Sequence, residues 1–360
     1  MMAEKTKAGC RQVTMKDVAR AAGVSVSSVS LALRNDSRIS PSVQERVRRE
    51  ANRLGYRFNL SGALLSQSRP KLLGVVAHFD QELHTAYVRE IADLASGSGY
   101  RIIAENAALY DDPATALEKL AQLRVANVIA INPPVYNTDE DILPTVVIAQ
   151  DTDLPQADLV RSDNMQGVTE LASHLRQLGH RCVYYLAGPQ GVSGDARLEM
   201  LASVLKREDI EMYPWQAGNT LSAGFAAMQD LLVRLWQRGR NAEAENFFPA
   251  RVGALGKTTA IVCYNDQCAM GAYLALLKAG IDVPADVSLV GFDNSAAGAS
   301  PAFSLTTIDR CPRKVAEAAF SLACARREGR ETEIRRVTVP THLVVRSSTA
   351  QANFLRRVGK

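Results

Sequence analysis

Short hydroxyl side chains near the N-terminus could hydrogen-bond to nucleic acid. Residues 25–30 read Ser-Val-Ser-Ser-Val-Ser. Serine hydroxyls can reach phosphate oxygens and base edges, whereas Val26 and Leu31 could only make apolar contacts, for example with a thymine methyl group. These residues lie in a stretch with helical apolar periodicity, which favours a folded module over a solvated basic tail. A three-helix bundle without a DNA role is the other alternative.

The charge distribution favours the nucleic-acid interpretation. Residues 1–69 contain 13 Lys/Arg and 5 Asp/Glu, so that stretch carries +8 and the rest of the chain carries −4. A basic module joined to a body without positive excess is typical of a nucleic-acid-binding head attached to a domain that does not bind phosphate.

A second group of polar residues follows apolar, strand-like runs in the body. In parallel α/β folds, ligands bind outside the carboxyl ends of the strands. The sequence therefore predicts ligand-binding candidates at His78, Asp163, Asn265, Asp266 and Asp293. Capping of the following helix is the alternative for Asn265 and Asp266, and a turn position is the alternative for Asp293. His84 is a weaker candidate from the segment after the first strand.

No sequence motif argues for an enzyme, a metal site or a cofactor. The six cysteines are scattered, without CxxC spacing or a histidine cluster. Gly256-Lys257-Thr258 resembles part of a P-loop, but Arg251 occupies the position of its first glycine. No run of about 18 apolar residues exists, so no membrane span is predicted. Met1–Gln12 does not resemble a secretory signal, so we expect a cytoplasmic protein.

Local signals predict three helices in the head. Thr14 and Asp17 form the pattern of a capping box, and Gly23 ends the first helix. Ser25 caps the second helix, on which Val29 and Leu33 face inward and Ser27, Ser28 and Leu31 face outward. Ser40 and Pro41 begin the third helix, and Gly55 ends it. Two helices joined by a tight glycine turn and backed by a third are typical of a helix-turn-helix.

After Pro70 the pattern changes to alternating strands and helices with glycine caps. This alternation predicts an α/β body of two doubly wound parallel-sheet subdomains. We expect a helix-turn-helix domain over 1–57, a hinge helix and linker over 58–70, a body over 71–350 and a tail over 351–360. The subdomains are expected at about 71–160 plus 304–330, and 161–303 plus 331–350.

The head resembles the lac repressor (LacI–GalR) family of bacterial transcription regulators, whose pattern begins T-x-K-D-V-A-x-x-A-G-V-S-x-x-T-V-S. The matches are Thr14, Lys16, Asp17, Val18, Ala19, Ala22, Gly23, Val24, Ser25, Val29, Ser30, Ser40, Leu54, Gly55, Tyr56, Asn59 and Leu65. The resemblance implies that the second helix reads bases through Val26, Ser27 and Leu31, and that Leu65 wedges into the minor groove. The chain departs from the pattern at Leu31, Phe58, Gly62 and Ala63.

The candidate DNA-contacting set is Thr14, Met15, Lys16, Ser25, Val26, Ser27, Ser28, Ser30, Leu31, Arg34, Arg38, Ser40, Tyr56, Asn59, Gly62 and Leu65.

The resemblance continues in the body, through Leu178-Gly179-His180, Asn265-Asp266-Gln267 and Val287 to Asp293. It implies a type I periplasmic-binding-protein fold, a homodimer (with a tetramer as the open alternative) and a small-molecule effector between the subdomains. It also implies that Arg197, Asn265 and Asp293 hold this effector. The effector candidates are thus His78, His84, Asp163, Arg197, Asn265 and Asp293.

The sequence as a whole predicts a ligand-responsive repressor that binds a pseudo-palindromic, double-stranded DNA operator and is controlled by a sugar-like effector. A solute-binding protein and an enzyme are the alternatives from other classes. Within the same family, the sequence leaves open an activator or a regulator that needs its effector as corepressor.

Overall fold

The computed structural model describes residues 13–33, 36–56, 71–112, 114–123, 125, 127–133, 144–241, 259–330 and 333–352. The chain divides into two compact units, a head over 1–70 and a body over 71–360. Within these described ranges, we find no helix that combines the length and the apolar character needed to span a membrane.

The head contains the three predicted helices, α1 (Met15–Ala22), α2 (Val26–Leu33) and α3 (Pro41–Leu54). The capping box at α1 is confirmed, because the Asp17 carboxylate accepts hydrogen bonds from the Thr14 backbone N–H at 2.9 Å and hydroxyl at 2.7 Å. Gly23 ends α1 with a φ of 65°, a conformation that glycine adopts without steric cost. The helices enclose a small core of Val18, Ala19, Ala22, Val29, Ala32, Val47 and Ala51.

Helix α2 presents a mostly polar face. The Ser28 N–H donates to Ser25 Oγ at 3.0 Å, which confirms the predicted N-cap. Val29 is buried as predicted, Ser27 is exposed, and Val26 is 40% exposed. Leu31 and Leu33 are both half-buried, so they do not divide into one outward and one inward residue as the periodicity suggested.

The first lobe of the body is built on a six-stranded parallel sheet with the order β11-β5-β4-β3-β1-β2. Helices α4 and α10 cover one face of the sheet, and α5 covers the other. The strands are β1 (Leu72–Ala77), β2 (Arg101–Asn106), β3 (Asn127–Ile131), β4 (Val146–Ile148), β5 (Asp158–Asp163) and β11 (Arg336–Pro340). The helices are α4 (Glu82–Gly97), α5 (Ala114–Gln122) and α10 (Pro312–Arg327), with a 3-10 turn at Ala107–Leu109.

The second lobe has a four-stranded parallel sheet with the order β7-β6-β8-β9, again with apolar cores on both faces. Its strands are β6 (Cys182–Ala187), β7 (Glu211–Gln216), β8 (Ala260–Cys263) and β9 (Ser288–Val290). Its helices are α6 (Asn164–Gln177), α7 (Val192–Arg207), α8 (Leu221–Asn241) and α9 (Asp266–Lys278). This arrangement confirms the predicted body of two doubly wound lobes.

Among the described residues, three crossover segments join the lobes: the step from β5 to α6, the step from β10 (Thr307–Asp309) to α10, and the step from β11 to β12 (His342–Val344). Strands β10 and β12 pair in antiparallel fashion. The predicted assignment of 331–350 to the second subdomain is wrong for β11, because Arg336–Pro340 pairs in parallel with β5 at the edge of the first sheet. Only the residues after Pro340 return to the second lobe.

Candidate functional site

A polar cavity of about 190 Å³ lies between the two lobes of the body. Both sheets turn the carboxyl ends of their parallel strands toward it, which is where such folds bind ligands. Its lining includes the residues that follow β1, β3, β4, β8 and β9, namely His78, Asn132, Gln150, Tyr264, Asn265 and Asp293. The strand-end rule applied to the sequence therefore located the cavity.

Arg197, on α7, is the buried cation of the second lobe's wall and is only 4% exposed. Its guanidinium carbon lies 3.9 Å from the centre of the Phe292 ring and 4.3 Å from that of Tyr264. One terminal nitrogen donates to the Tyr264 carbonyl oxygen. The Nε atom is buried without a hydrogen-bond partner among the described residues. Contact with the two rings restrains the guanidinium, and Arg197 lines the cavity.

Asp293 provides a carboxylate next to this cation. Its Oδ1 lies 3.7 Å from an Arg310 nitrogen and accepts no hydrogen bond among the described residues. Burial raises the pKa of Asp293, and the positive charges of Arg310 and Arg197 act against that rise. Asp293 has a φ of 109°, which is rare for a residue with a Cβ. Strained backbone of this kind persists where the surrounding structure enforces it, commonly at functional sites.

Two charged residues outside the cavity hold the turn that presents Asp293. Asp266 accepts hydrogen bonds from the Thr307 hydroxyl at 2.7 Å and the Ser295 backbone N–H at 2.6 Å. Arg346 donates to Asn294 Oδ1 at 2.6 Å and to the Leu305 carbonyl at 2.7 Å. Asp266 is therefore a positioning residue and does not line the cavity.

The two alternatives for Asn265 coexist in the structure. Asn265 caps α9, because its Oδ1 accepts from the Cys268 N–H at 2.9 Å. Its Nδ2 donates to the Asn219 carbonyl at 2.9 Å, and both residues line the cavity. The cap thus fixes an amide at the wall of the cavity.

The two histidines after β1 also line the cavity. His84 Nδ1 accepts a hydrogen bond from the His78 backbone N–H at 3.2 Å. Burial, together with the nearby His78 and Arg310, lowers the pKa of His84 to about 3. His84 is therefore neutral near pH 7, and its ring serves as a hydrogen-bonding group without charge.

Hydrogen bonds bridge the lobes at the edge of the cavity. Gln267, on α9, donates to the Asp80 carbonyl at 3.0 Å and accepts from the Glu82 N–H at 3.1 Å. Ser193 donates to Asn132 Oδ1 at 3.3 Å. These contacts join segments of different lobes, so they depend on the angle between the lobes.

Five of the six predicted effector residues line one cavity: His78, His84, Arg197, Asn265 and Asp293. Asp163 does not, because it is exposed and its side chain caps α6 by accepting from the Met165 N–H at 3.1 Å. Sequence reasoning missed Asn132, Gln150, Asn219, Tyr264 and Arg310. The strand-end rule that identified His78 also applies to Asn132, Gln150 and Tyr264, which follow strands. Arg310 could not be identified in this way, because the crossover from β10 to α10 places it in the cavity wall.

The pKa of Asp266 gives a pH-dependent prediction. Burial raises it to about 7, from 3.8 for a free aspartate. The folded protein therefore binds this proton more tightly than the unfolded chain, so its stabilising effect is present below pH 3.8 and is lost as the pH rises through about 7. The asparagine in Asp266→Asn has no titratable proton, so the stability of this variant should not show this decrease with rising pH.

Urea denaturation of wild type and Asp266→Asn at a series of pH values checks this prediction. The free energy of unfolding of the variant should rise relative to wild type as the pH increases from about 4 to about 7, and the difference should level off above that. The depressed pKa of His84 has the opposite effect on stability: its contribution decreases as the pH falls below about 6.5 toward 3. Because His84 is present in both proteins, its contribution cancels in the difference. A constant difference would contradict the raised pKa of Asp266.

The head brings most of its predicted DNA-contacting residues to the surface. Thr14, Lys16, Ser25, Val26, Ser27, Arg38 and Ser40 are exposed, and Met15, Ser28, Ser30, Leu31 and Tyr56 are half-buried. The Arg38 guanidinium pairs with Asp36 at 2.8 Å, which offsets part of its charge. The remaining candidates, Arg34, Asn59, Gly62 and Leu65, lie outside the described residues.

Both units match known protein families. Residues 14–59 match the family described as bacterial regulatory proteins, lacI family. Residues 172–349 match a periplasmic binding protein-like domain. The chain therefore carries a helix-turn-helix domain of the lacI family type and a periplasmic-binding-protein-like domain. Its fold accordingly combines a helix-turn-helix head with a body that resembles periplasmic binding proteins, and its relatives are transcription regulators.

Similarity to relatives extends over nearly the whole chain. The transcriptional regulator DegA of Bacillus subtilis is 26% identical over 95% of this chain and 99% of its own length. The transcriptional repressor CytR of Escherichia coli is 26% identical over 93% of this chain and 96% of its own length. A crystal structure of the Lac repressor bound to ONPG in the repressed state shares the fold, with a TM-score of 0.72 at 23% identity, covering 94% of this chain and all of that chain.

Proposed function

We propose that this protein is a cytoplasmic repressor of the lacI family that binds a pseudo-palindromic, double-stranded DNA operator as a homodimer. A small, sugar-like effector binds in the cavity between the lobes and changes the affinity for the operator. The observation that carries this proposal is the combination, in one chain, of a basic helix-turn-helix head and a body with a polar cavity between two lobes. The names of relatives such as CytR favour a repressor over an activator.

The head supplies both positive charge and a readout surface for DNA. Residues 1–69 carry a net +8, which implies salt-dependent binding to phosphates. Exposed Val26 and Ser27 at the start of α2 are placed to contact bases if this helix enters the major groove. In a dimer, two such heads would meet half-sites related by the two-fold axis.

A gel-shift assay with fragments of the source genome tests the DNA-binding proposal. The full-length protein should retard a small subset of fragments, and the retardation should weaken steeply as salt is raised. No preference for any fragment, with or without added metabolites, would contradict a regulatory role and favour a solute-binding protein.

The hinge assignment makes a separate prediction about Leu65. Leu65→Ala should weaken binding to the retarded fragment at least tenfold, because the wedge that stabilises the bent duplex is lost. Binding to unrelated DNA depends on phosphate contacts and should change less than twofold. The same assay with both DNA types is the measurement, and Ser66→Ala is the neighbouring control. Equal weakening on both types of DNA would contradict the wedge role.

The cavity suits a small polyhydroxyl ligand. Its volume of about 190 Å³ is below the ~300 Å³ at which pockets begin to accept drug-sized molecules. Arg197 offers guanidinium N–H donors, Asp293 offers an acceptor that adjacent hydroxyls can share, and Asn265 offers an amide. We propose that binding changes the angle between the lobes, to the extent that the two arrangements differ in effector affinity.

A thermal-shift screen of purified protein with pentoses, hexoses, sugar acids and nucleosides tests the effector proposal. At least one compound should raise the melting temperature and, in the gel shift, change retardation of the operator fragment. An effector that strengthens retardation would identify a corepressor. Chemical conversion of the compound by the protein would instead support an enzyme.

A further inference from the structure

Three side chains with metal-ligating atoms meet where the chain crosses between the lobes, outside the cavity. Asp309 and His342 are register partners in the antiparallel pair β10–β12, and Cys311 precedes α10. The Cys311 sulfur lies 3.6 Å from His342 Nδ1, and an Asp309 oxygen lies 3.7 Å from His342 Nε2. One ligand atom from each residue can be chosen so that all three lie within 4.8 Å of one another.

The three side chains already interact weakly, through a hydrogen bond between Cys311 and His342 and an ion pair between Asp309 and His342, and their separations are also compatible with a metal centre. A distance of 3.7 Å between a carboxylate oxygen and an imidazole nitrogen is too long for a normal hydrogen bond. Ligands of a tetrahedral zinc ion, at about 2.0–2.3 Å from the metal, are themselves about 3.3–3.7 Å apart. The Cys311 sulfur and His342 Nδ1 already have this spacing.

We propose that Asp309, Cys311 and His342 form a binding site for Zn²⁺ at the crossovers between the lobes. Thiolate, imidazole and carboxylate together are a donor set that zinc accepts, whereas Mg²⁺ and Ca²⁺ prefer oxygen ligands alone. Three protein ligands leave the fourth position to water. His342 is 49% exposed and Asp309 is 18% exposed, so an ion would reach the cluster from the side of His342.

The backbone around the cluster already holds two of the ligands. Asp309 Oδ1 accepts from the Cys311 backbone N–H at 2.7 Å, which fixes the carboxylate beside the thiol. His342 is fixed along the chain by its strand, where the Leu343 N–H donates to Glu170 at 2.7 Å. Because His342 Nδ1 faces Cys311 and Nε2 faces Asp309, the ion would bind one ring nitrogen, and the side chains would have to move closer together around it.

The position of the site would allow a bound metal ion to influence the cavity indirectly. Arg310, which lies between Asp309 and Cys311 in the chain, extends to Asp293 in the cavity wall. A metal ion would fasten β10 to β12, which belong to two of the three crossovers, and would restrain the segment that carries Arg310. Zinc would therefore favour one angle between the lobes over others.

This proposal departs from the expectation of no metal site. In the sequence, Cys311 and His342 are 31 residues apart and form no recognisable ligand spacing. Strand pairing between β10 and β12 brings them together, and a search for CxxC or paired histidines cannot detect it.

Cadmium titration of the chelator-treated, full-length protein tests the site. Cd²⁺ should produce ultraviolet thiolate-to-metal charge-transfer absorption that saturates at one ion per chain, and Zn²⁺ should reverse it. Cys311→Ser should abolish the absorption. Cys324→Ser is the matched control, because Cys324 is also partly buried and lies on α10, the helix that Cys311 precedes. This variant should retain the absorption. His342→Gln should weaken Zn²⁺ binding at least tenfold.

Melting curves provide a second measurement. Zn²⁺ should raise the melting temperature of wild type and Cys324→Ser but not that of Cys311→Ser or His342→Gln, because an ion that binds only the folded state stabilises it. Absence of the cadmium absorption, binding only at millimolar metal, or full absorption in Cys311→Ser would each overturn the proposal. None of these outcomes bears on operator binding, so the proposed repressor function is tested independently.

Discussion

Asp158→Ala should destabilise the body by about 3–5 kcal/mol, the usual cost of leaving one member of a buried ion pair without its partner. Asp158 is fully buried, with 0% exposure. Its carboxylate accepts from Arg326 Nε at 2.9 Å, from Arg326 Nη2 at 2.7 Å and from the Arg335 backbone N–H at 2.7 Å. The substitution removes the buried carboxylate that is shared by the Arg326 guanidinium, which is 17% exposed, and the Arg335 N–H, although Arg326 Nη2 still donates to the Glu333 carbonyl at 2.7 Å.

The large effect reflects the connections that Asp158 makes. It begins β5, Arg326 lies at the end of α10, and Arg335 immediately precedes β11. One carboxylate thus ties the strand next to the sheet edge to two segments that reach it only after the chain has passed through the second lobe. Sequence reasoning did not single it out, because an aspartate before a strand-like run looks like an ordinary loop residue.

A nearby exposed pair provides the matched control. Arg336 and Asp151 approach to 3.3 Å, but their side chains are 60% and 65% exposed. Water screens such a pair, so Asp151→Ala should cost less than about 1 kcal/mol. Urea denaturation of wild type and both variants measures the two losses. Similar losses for Asp158→Ala and Asp151→Ala would show that burial does not determine the strength of this ion pair.

The elements that the sequence predicted well are those determined by local chemistry. Strands β3 and β8, at 127–131 and 260–263, fit the predicted alternation because both are short, mainly apolar and buried runs between polar segments. The helices of the head were predicted from their caps. Thr14 and Ser40 are the N-cap residues of α1 and α3, and Gly23 ends α1. Such signals need no knowledge of the tertiary structure.

The elements that the sequence did not reveal are determined by distant partners. Strand β7 was missed because its residues are exposed or half-buried and Pro214 interrupts them. Strands β10 and β12 are three residues each and exist only because they pair with each other across the crossover. Short, partly polar segments of this kind lack periodicity, so the return of β11 to the first sheet could not be predicted either.

The same limit explains the successes and errors at the cavity. Asp163 ends β5 and Asp293 follows β9, yet Asp163 caps a helix and Asp293 lines the cavity. The difference lies in the turn that follows Phe292, which is held by Asp266 and Arg346 from distant parts of the chain. A strand end identifies the correct edge of a sheet, but the contacts of the turn decide which side chain faces the ligand.

Arg197→Leu should abolish the response to any sugar that the wild-type protein binds in this cavity. The guanidinium packs against two aromatic rings and Arg197 lines the cavity, so its orientation is already fixed for donation to ligand oxygens. Hydrogen bonds from a charged donor contribute about 1.5–3 kcal/mol each, so losing the donors should weaken sugar binding by at least about a hundredfold. Arg197→Lys keeps the charge but loses the planar, forked arrangement of N–H donors. Its sugar affinity should therefore lie between that of wild type and that of Arg197→Leu.

Titration calorimetry with the sugar that gives the largest thermal shift measures this loss, and a gel shift without sugar measures operator binding. Arg207→Leu is the matched control, because Arg207 ends the same helix α7 and is exposed. It should bind the sugar as wild type does. Operator binding without sugar should stay within about twofold of wild type in all three variants, because none of the substitutions lies in the head and, in the proposed mechanism, the body influences DNA binding through the angle between its lobes. Unchanged sugar binding in Arg197→Leu would show that Arg197 does not contribute to the binding site. Loss of operator binding in the absence of sugar would show instead that Arg197 is needed to maintain the fold.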